Sequence, residues 1–377
     1  MNITFVIDAY GPTTNGTTMT AMRSAEALRE RGHTVYIITG SHSDEADTFT
    51  TGYRELPFLR QISASQGMPL AKPDRTLMEK VFGRSDIVHF LLPFKMQKVG
   101  KKIADGLRVP TTAAFHVQPE NITSTLRLGS LDHVNTMIYR HFRRFYNRFA
   151  HIHTPSEMIA DELRKHDYRS NIHVISNGVS RRFRPVDGDK PDAFANKRLL
   201  LMIGRFSREK RQDLLIEAVR RSKHKDTIQL VLAGQGPWKK ELLKRGKTLP
   251  NPPMMRFFEQ DELIRLINYS DLYVHASDIE AEAISCIEAF SCGLVPLISD
   301  SPLSATKQFA IDDEHLFKAG DADDLARRID GFLDHPDTLR MKREAYLEYA
   351  ERFRLDACVT RLERMFEAAI EQFHNEM

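Results

Sequence analysis

The run Leu199-Leu200-Leu201-Met202-Ile203, ended by Gly204, constrains the fold of this chain more than any other stretch. Five consecutive apolar residues without alternation form a strand covered on both faces, and that cover comes from helices flanking a parallel sheet. The neighbouring sequence supplies them. Helical spacing runs over residues 212–221, residues 228–233 form a second buried strand closed by Gly234-Gln235-Gly236-Pro237, and a helix starts at Trp238. Residues 271–275 and 294–298 add two strands around a helix near 282–292. The first half is built alike. A strand at 3–7 leads into a turn-rich loop at 11–17 and a helix through Met22, Ala25 and Leu28, followed by strands at 34–38, 87–91, 111–115 and 151–153. The apolar pattern lapses near residues 180–197, where a linker is expected. The expected class is therefore α/β: two Rossmann-like domains facing across a cleft, residues 1–185 and 186–354, with an amphipathic helix in residues 355–377.

A length of 377 residues suits two domains, and 28% charged residues beside 22 Phe excludes global disorder. No run approaches ~18 uncharged apolar residues, so no transmembrane helix is expected. The N-terminus lacks a basic region ahead of an apolar one, so no signal peptide is expected either. Three cysteines, Cys286, Cys292 and Cys358, give neither a disulfide framework nor metal-ligand spacing, and the protein is expected in the cytosol. The net charge of +3 is unevenly spread: residues 1–190 hold 26 Lys+Arg against 19 Asp+Glu, and residues 191–377 hold 28 against 32. A basic first half faces something anionic, whether membrane, phosphate or nucleic acid.

Two stretches of the second half can carry chemistry. In Gly204-Arg205-Phe206-Ser207-Arg208-Glu209-Lys210, a glycine turn, a helix start and two cations make a diphosphate site: Arg205 as a two-pronged donor, Lys210 as a point charge. The same residues also fit a solvated loop. In Asp278-Ile279-Glu280-Ala281-Glu282-Ala283-Ile284-Ser285-Cys286-Ile287-Glu288, Glu280 precedes a helix and Glu288 lies two turns in. Carboxylates at both places can accept hydrogen bonds from vicinal sugar hydroxyls, while N–H groups near Ala281–Ile284 point at a ligand. A capping carboxylate and a solvent-facing Glu are the plain alternative.

The order of these pieces resembles glycosyltransferase family 4, the retaining, nucleotide-sugar-dependent enzymes of GT-B fold. Asn15-Gly16-Thr17, Arg31-Gly32-His33, Asp86-Ile87-Val88-His89, His116, Thr154-Pro155-Ser156, Ser176-Asn177-Gly178-Val179, Gly204-Arg205 with Lys210, Gly234-Gln235-Gly236-Pro237, and Glu280 with Glu288 before Ala289-Phe290-Ser291-Cys292-Gly293 stand in the family's order. The resemblance implies that Arg205 and Lys210 hold the donor diphosphate and neutralise the leaving group, Glu288 binds the ribose, and Glu280 the transferred sugar. It further implies that Gly16 lets the first loop approach the diphosphate, that Ala283 and Ile284 contribute backbone donors, and that His116 is a polar contact near sugar and acceptor. Residues 256–259 fall at the nucleotide base, and the C-terminal helix returns to the N-terminal domain. Ala281 stands where the family often has glycine. No Asp-x-Asp motif accompanies the diphosphate elements, so no obligatory metal or other cofactor is expected beyond the UDP-hexose donor.

Asn15-Gly16-Thr17, residues 116–123 and Ser301-Pro302-Leu303-Ser304-Ala305-Thr306 resemble, within that family, bacterial glucosyltransferases acting on diacylglycerol. A helix over residues 132–150 fits a lipid surface. Val134, Ile138, Phe142, Phe145 and Phe149 share one face, with Arg140, Arg143, Arg144 and Arg148 opposite. A core-packed helix with a solvated basic side fits the same pattern. Lys95, Lys98, Lys101, Lys102 and Arg108 add basic charge, and Phe58 sits in an apolar stretch at 56–59 that fits a loop at the acceptor opening or a short buried connection equally. The expectation is hexose transfer, glucose from UDP-glucose, to a lipid at the inner face of the membrane, with no nucleic-acid partner. A polyprenyl-linked or soluble saccharide acceptor, or a non-catalytic sugar-nucleotide-binding protein, is the alternative.

Overall fold

The computed structural model describes residues 1–11, 16–53, 69–125, 132–188 and 190–376. These form two compact units, Met1–Gly178 with Leu355–Met377, and Val179–Arg354. In the first, strands β1 (Asn2–Val6), β2 (Thr34–Thr39), β3 (Thr48–Thr50), β4 (Ile87–Phe90), β5 (Thr111–Ala114), β6 (His151–Thr154) and β7 (Asn171–Val174) make one parallel sheet in the order β3-β2-β1-β4-β5-β6-β7. β4 and β6 are buried along their whole length, as strands covered on both faces must be.

The second unit repeats the topology. Strands β8 (Arg198–Ile203), β9 (Ile228–Ala233), β10 (Met254–Arg256), β11 (Leu272–His275), β13 (Pro296–Ser299) and β15 (Leu316–Phe317) are ordered β10-β9-β8-β11-β13-β15. A separate two-stranded parallel ladder joins β12 (Ile279–Glu280) to β14 (Leu303–Ser304). In each sheet the strand order reverses beside the first strand, between β1 and β4 and between β8 and β11. Open α/β sheets take ligands at the carboxyl ends of the strands at such a point.

Six strands have no counterpart in the sequence reading: β12 and β14, which pair only with each other, and β3, β7, β10 and β15. All lie at sheet edges and are two to four residues long. Stretches such as Thr48-Phe49-Thr50 carry too little apolar pattern to mark them. The division between units also falls earlier than residue 185. Val179 and Phe183 are buried in the second unit's core, and Arg354 Nη1 donates to the Phe183 carbonyl at 2.8 Å. Apolar side chains hidden among polar neighbours thus tie the expected linker to the second unit.

The helix Leu355–Asn375 buries Cys358, Val359, Leu362, Met365, Phe366 and Ala369 on the first unit. Each larger apolar side chain so buried contributes roughly 1.5–3 kcal/mol. Polar contacts set its register: Arg31 Nη1 reaches Glu363 Oε2 at 2.5 Å and Thr360 Oγ1 at 2.9 Å. His33 Nε2 lies 2.8 Å from Glu363 Oε1, and His151 Nε2 2.8 Å from Gln372 Oε1.

Candidate functional site

The candidate site of the second unit is built at the carboxyl ends of β8 and β11. β8 runs into Gly204, and the loop after it is held against the β9 loop by backbone bonds: Phe206 N–H to the Gln235 carbonyl at 2.9 Å and Trp238 N–H to the Phe206 carbonyl at 3.0 Å. Here the glycines are required for close approach. A Cβ at Gly234 would meet the Gly204 carbonyl oxygen at 2.0 Å, and one at Gly236 the Phe206 oxygen at 2.5 Å. The loop then tightens into a 3₁₀ turn, Arg208–Lys210, and the helix Gln212–Arg221 begins.

That turn brings Lys210 to Glu280, 70 residues away in sequence, and Lys210 Nζ and Glu280 Oε1 form an ion pair. His275, the last residue of β11, donates Nε2–H to the same carboxylate at 3.1 Å, and its Nδ1 lies 3.1 Å from the Tyr273 hydroxyl, which donates to Ser285 Oγ at 3.0 Å. Burial pushes the Glu280 carboxyl up, but Lys210 and the His275 hydrogen bond outweigh it and hold the pKa at about 2. Burial keeps the His275 imidazole below its ordinary value even beside that carboxylate. Glu280 is thus a fixed anion with a fixed partner, and its backbone is pinned as well, since Glu280 pairs with Ser304 in the β12–β14 ladder. Ala281 is not in the left-handed region, so the side chain in place of the family's glycine brings no backbone strain.

Immediately after Glu280 the helix Ile284–Ser291 starts at Ala283 without a side-chain cap. Its first N–H groups and dipole favour an anion. Glu288 is 8% exposed and lies about one turn into the helix rather than the expected two, because the helix starts only at Ile284. Arg205 is the more open cation: its side chain is 42% exposed, and Nη2 donates to Glu209 Oε1 at 3.0 Å. Burial raises the Glu209 carboxyl, but the Ser207 hydroxyl (2.5 Å), its own backbone N–H and Arg205 outweigh it and hold the pKa low. The expected donor-site residues Arg205, Lys210, Glu280, Ala283, Ile284 and Glu288 therefore all lie in this unit, and Lys210 and Glu280 are in contact. Sequence reasoning missed His275, Tyr273, Glu209, Arg211 and Asp278. The one signal available was the place of His275 at the end of a buried strand leading into the Glu280 loop. In residues 256–259, Arg256 stacks over Phe258 at 3.8 Å and Phe257 is 48% exposed.

The remaining expected residues belong to the first unit. Gly16 opens the helix Gly16–Glu30, with open space where a Cβ would stand. Asn15, Phe58 and the rest of the 56–59 stretch lie outside the described residues. His116 follows β5 and meets His153 edge-to-face at 5.2 Å. Burial, then the charge of His153, pushes its pKa down to about 3, so it is a neutral polar group at pH 7 rather than a cation.

The helix Asp132–Tyr146 corrects the idea of an aromatic face turned to lipid. Phe142, Phe145 and Phe149 are 6, 2 and 3% exposed. Phe145 and Phe149 pack on Phe90 of β4, so the aromatic side is core. On the opposite side, Arg143 is paired with Asp167 and Arg148 with Asp105, each at 2.7 Å. Arg140 and Arg144 are exposed and have no carboxylate partner among the described residues. Nearby, Lys98 Nζ lies 3.1 Å from His141 Nε2, linking this helix to Lys95–Gly106. Met137, 63% exposed, sits beside the arginines. No helix among the described residues is long and apolar enough to cross a membrane, and no group of three or more His, Cys, Asp or Glu there is placed to hold a metal ion.

Residues 14–183 match the family model described as Glycosyltransferase Family 4, and residues 184–353 the one described as Glycosyl transferases group 1. Similar proteins include a GDP-mannose-dependent alpha-mannosyltransferase of Corynebacterium glutamicum, 26% identical over 310 residues, covering 79% of this chain and 72% of that one. The alpha-monoglucosyldiacylglycerol synthase of Streptococcus pneumoniae is 23% identical over 325 residues, covering 80% of this chain and 72% of that one. The structure of Anabaena HepE in complex with UDP-glucose matches with a TM-score of 0.75 at 17% identity, over 98% of this chain and 99% of that one, a likeness of fold. With both of its sheets in Rossmann order and both halves matched by these models, the chain belongs to glycosyltransferase family 4 and is a hexosyltransferase of GT-B fold.

Proposed function

We propose that this enzyme transfers glucose from UDP-glucose, with retention of configuration, to the hydroxyl of a membrane lipid such as diacylglycerol, working as a peripheral protein on the inner face of the cell membrane. The observation that carries the donor half is the grouping at the ends of β8 and β11: an uncapped helix start, the Lys210–Glu280 pair, and Glu288 about one turn into the same helix. A sugar nucleotide needs an electropositive pocket for its diphosphate and carboxylates for its vicinal hydroxyls, and these residues offer both. Lys210 and Arg205 would neutralise the charge that gathers on the departing diphosphate. The departing phosphate oxygen would take the acceptor's proton on the face it leaves, so the sugar keeps its configuration without a carboxylate nucleophile on the protein.

The acceptor half is supported by the exposed Arg140 and Arg144 beside Met137, and by the glucosyldiacylglycerol-forming relative. UDP-glucose is the donor to test first because a GT-B neighbour carries it, and GDP-mannose second because a relative is named for it. Purified protein given each radiolabelled donor and vesicles of phosphatidylglycerol with diacylglycerol should place label from UDP-glucose in the lipid extract as the α-anomer, with activity persisting in chelator. Arg140→Glu with Arg144→Glu should weaken sedimentation with these vesicles more at low salt than at high salt. Label confined to water-soluble product, or transfer from GDP-mannose alone, would overturn the respective half.

Glu288 would contact ribose hydroxyls, which do not change as the glycosidic bond breaks. Glu288→Ala should therefore raise the donor KM by about ten- to thirtyfold, as the loss of a charged hydrogen bond does, with kcat nearly unchanged. A kcat loss at unchanged KM would remove Glu288 from the nucleotide site.

A further inference from the structure

Arg211 stands between the two loops that carry Lys210 and Glu280, and its backbone is unusual. At φ 55° and ψ 35° it is in the left-handed region, one of three non-glycine residues there among those described. A side chain with a Cβ pays for that conformation, and glycine would not, so the arginine side chain must return something. Its guanidinium reaches in two directions: Nη1 lies 3.1 and 3.3 Å from the two carboxylate oxygens of Asp278, and Nε lies 3.4 Å from Asp213 Oδ1. Asp278 in turn belongs to the Glu280 loop. Its backbone N–H donates to the Glu209 carbonyl at 2.8 Å, beside Lys210, and its carbonyl accepts from the Ser301 hydroxyl at 2.6 Å. The 3₁₀ turn and the loop before β12 are therefore tied twice, once through backbone and once through the Arg211–Asp278 pair, on either side of the Lys210–Glu280 contact.

We propose that Arg211 is a positioning residue: its left-handed backbone and bridging guanidinium lock the turn bearing Lys210 to the loop bearing Glu280, fixing the separation of cation and carboxylate before a donor enters. This rests on the donor site proposed above. A group that sets geometry without touching the nucleotide should change turnover more than binding, because a displacement of the order of an ångström costs far more in the transition state than in the bound donor.

Arg211→Gly isolates the side chain, since glycine accepts the same backbone angles, and Asp278→Asn removes the partner's charge at constant shape. In the ligand-free full chain, hydrogen exchange at the Asp278 amide should accelerate at least about tenfold in Arg211→Gly while the amides of β8 and β9 stay protected. With UDP-glucose, kcat should fall about thirtyfold while the UDP dissociation constant stays within about threefold. The double variant should be no worse than the poorer single one, as expected for two ends of one contact. Unchanged exchange at Asp278 overturns the lock whether or not the donor reading stands. Faster exchange with kcat held, or kcat and UDP affinity lost together with thermal stability, reduces Arg211 to a structural tie and overturns its positioning role. Failure of the donor reading shows separately, as wild-type protein that neither binds UDP nor releases it from UDP-glucose.

Discussion

Lys210→Ala lowers kcat/KM for the nucleotide sugar by about a hundred- to thousandfold, the range for removal of one preorganised charge from a transition state. The same change also destabilises the second unit, because it leaves Glu280, 9% exposed, without its counter-ion. Removing one partner of a buried ion pair costs about 3–5 kcal/mol, and the partly open Lys210 places this pair toward the lower end. Glu280 then answers by taking up a proton: with Lys210 gone, burial dominates and its pKa climbs from about 2. The two effects separate in a second variant. Lys210→Met with Glu280→Gln removes both charges, so thermal stability should recover most of what Lys210→Ala loses, while turnover stays low. Donor kinetics and melting temperatures on the three proteins check this. Near-wild-type kcat/KM in Lys210→Ala would remove Lys210 from the chemistry, and equal melting temperatures in all three would mean that Glu280 never depended on its partner.

Acid weakens the first unit through its histidines. His89 of β4 and His153 of β6 are buried, and the half-buried His116 after β5 completes a cluster with them, His116 edge-on to His153 at 5.2 Å and His89 stacked on it at 6.4 Å. Burial, the main cause, and their neighbours push His89 well below its ordinary value, His116 to about 3 and His153 to about 4. Histidine in the unfolded chain titrates near 6.5, so below that pH the unfolded state binds more protons than the native one, and stability falls as pH drops. The hydrogen bonds agree. His153 Nε2–H donates to the Ile175 carbonyl at 2.7 Å, while its Nδ1 is buried with no partner among the described residues, so a second proton has nothing to bond to.

One buried group runs the other way. Asp8, bonded to the Ala71 N–H at 2.8 Å and Gln97 Nε2 at 2.6 Å, is raised to about 6 by burial, so its contribution is present below about pH 4 and is lost as pH rises through 6. Each histidine costs about 2 kcal/mol at pH 5 and Asp8 returns about 1, a net loss on the order of 4–5 kcal/mol. Against typical stabilities of about 5–15 kcal/mol, that brings the unit close to unfolding. Denaturant unfolding at pH 7.5 and 5.0 should show the drop, and His153→Gln should shrink the difference between the two pH values. A first unit equally stable at both would contradict the cluster's neutrality.

The parallel sheets were legible because their central strands are runs that only a doubly covered strand tolerates. Residues 198–203 and 228–233 needed no tertiary information, and their ends at Gly204 and Gly234 marked the loops that approach each other. The edge strands were not legible, since their stability comes from a neighbour's backbone rather than from their own side chains. At the candidate site, residue types and spacing pointed to Arg205, Lys210, Glu280 and Glu288. They did not reveal what holds them: His275, Asp278 and Arg211 are ordinary in sequence and acquire meaning only from the partners that β11, β12 and the 3₁₀ turn bring to them.

On its own, then, the sequence determined two Rossmann-like units, a glycine-framed loop after β8 and a surplus of positive charge in the first half. Local pattern encodes these because strand burial, glycine turns and charge are properties of neighbouring residues. Only the tertiary structure decided that Lys210 meets Glu280, that the aromatic side of the helix Asp132–Tyr146 is core, and that Arg140 and Arg144, rather than Arg143 and Arg148, keep their charge open. Each of these is a pairing between distant segments, set by strand order and packing, and a carboxylate or a phenyl ring looks the same in sequence whether or not its partner arrives.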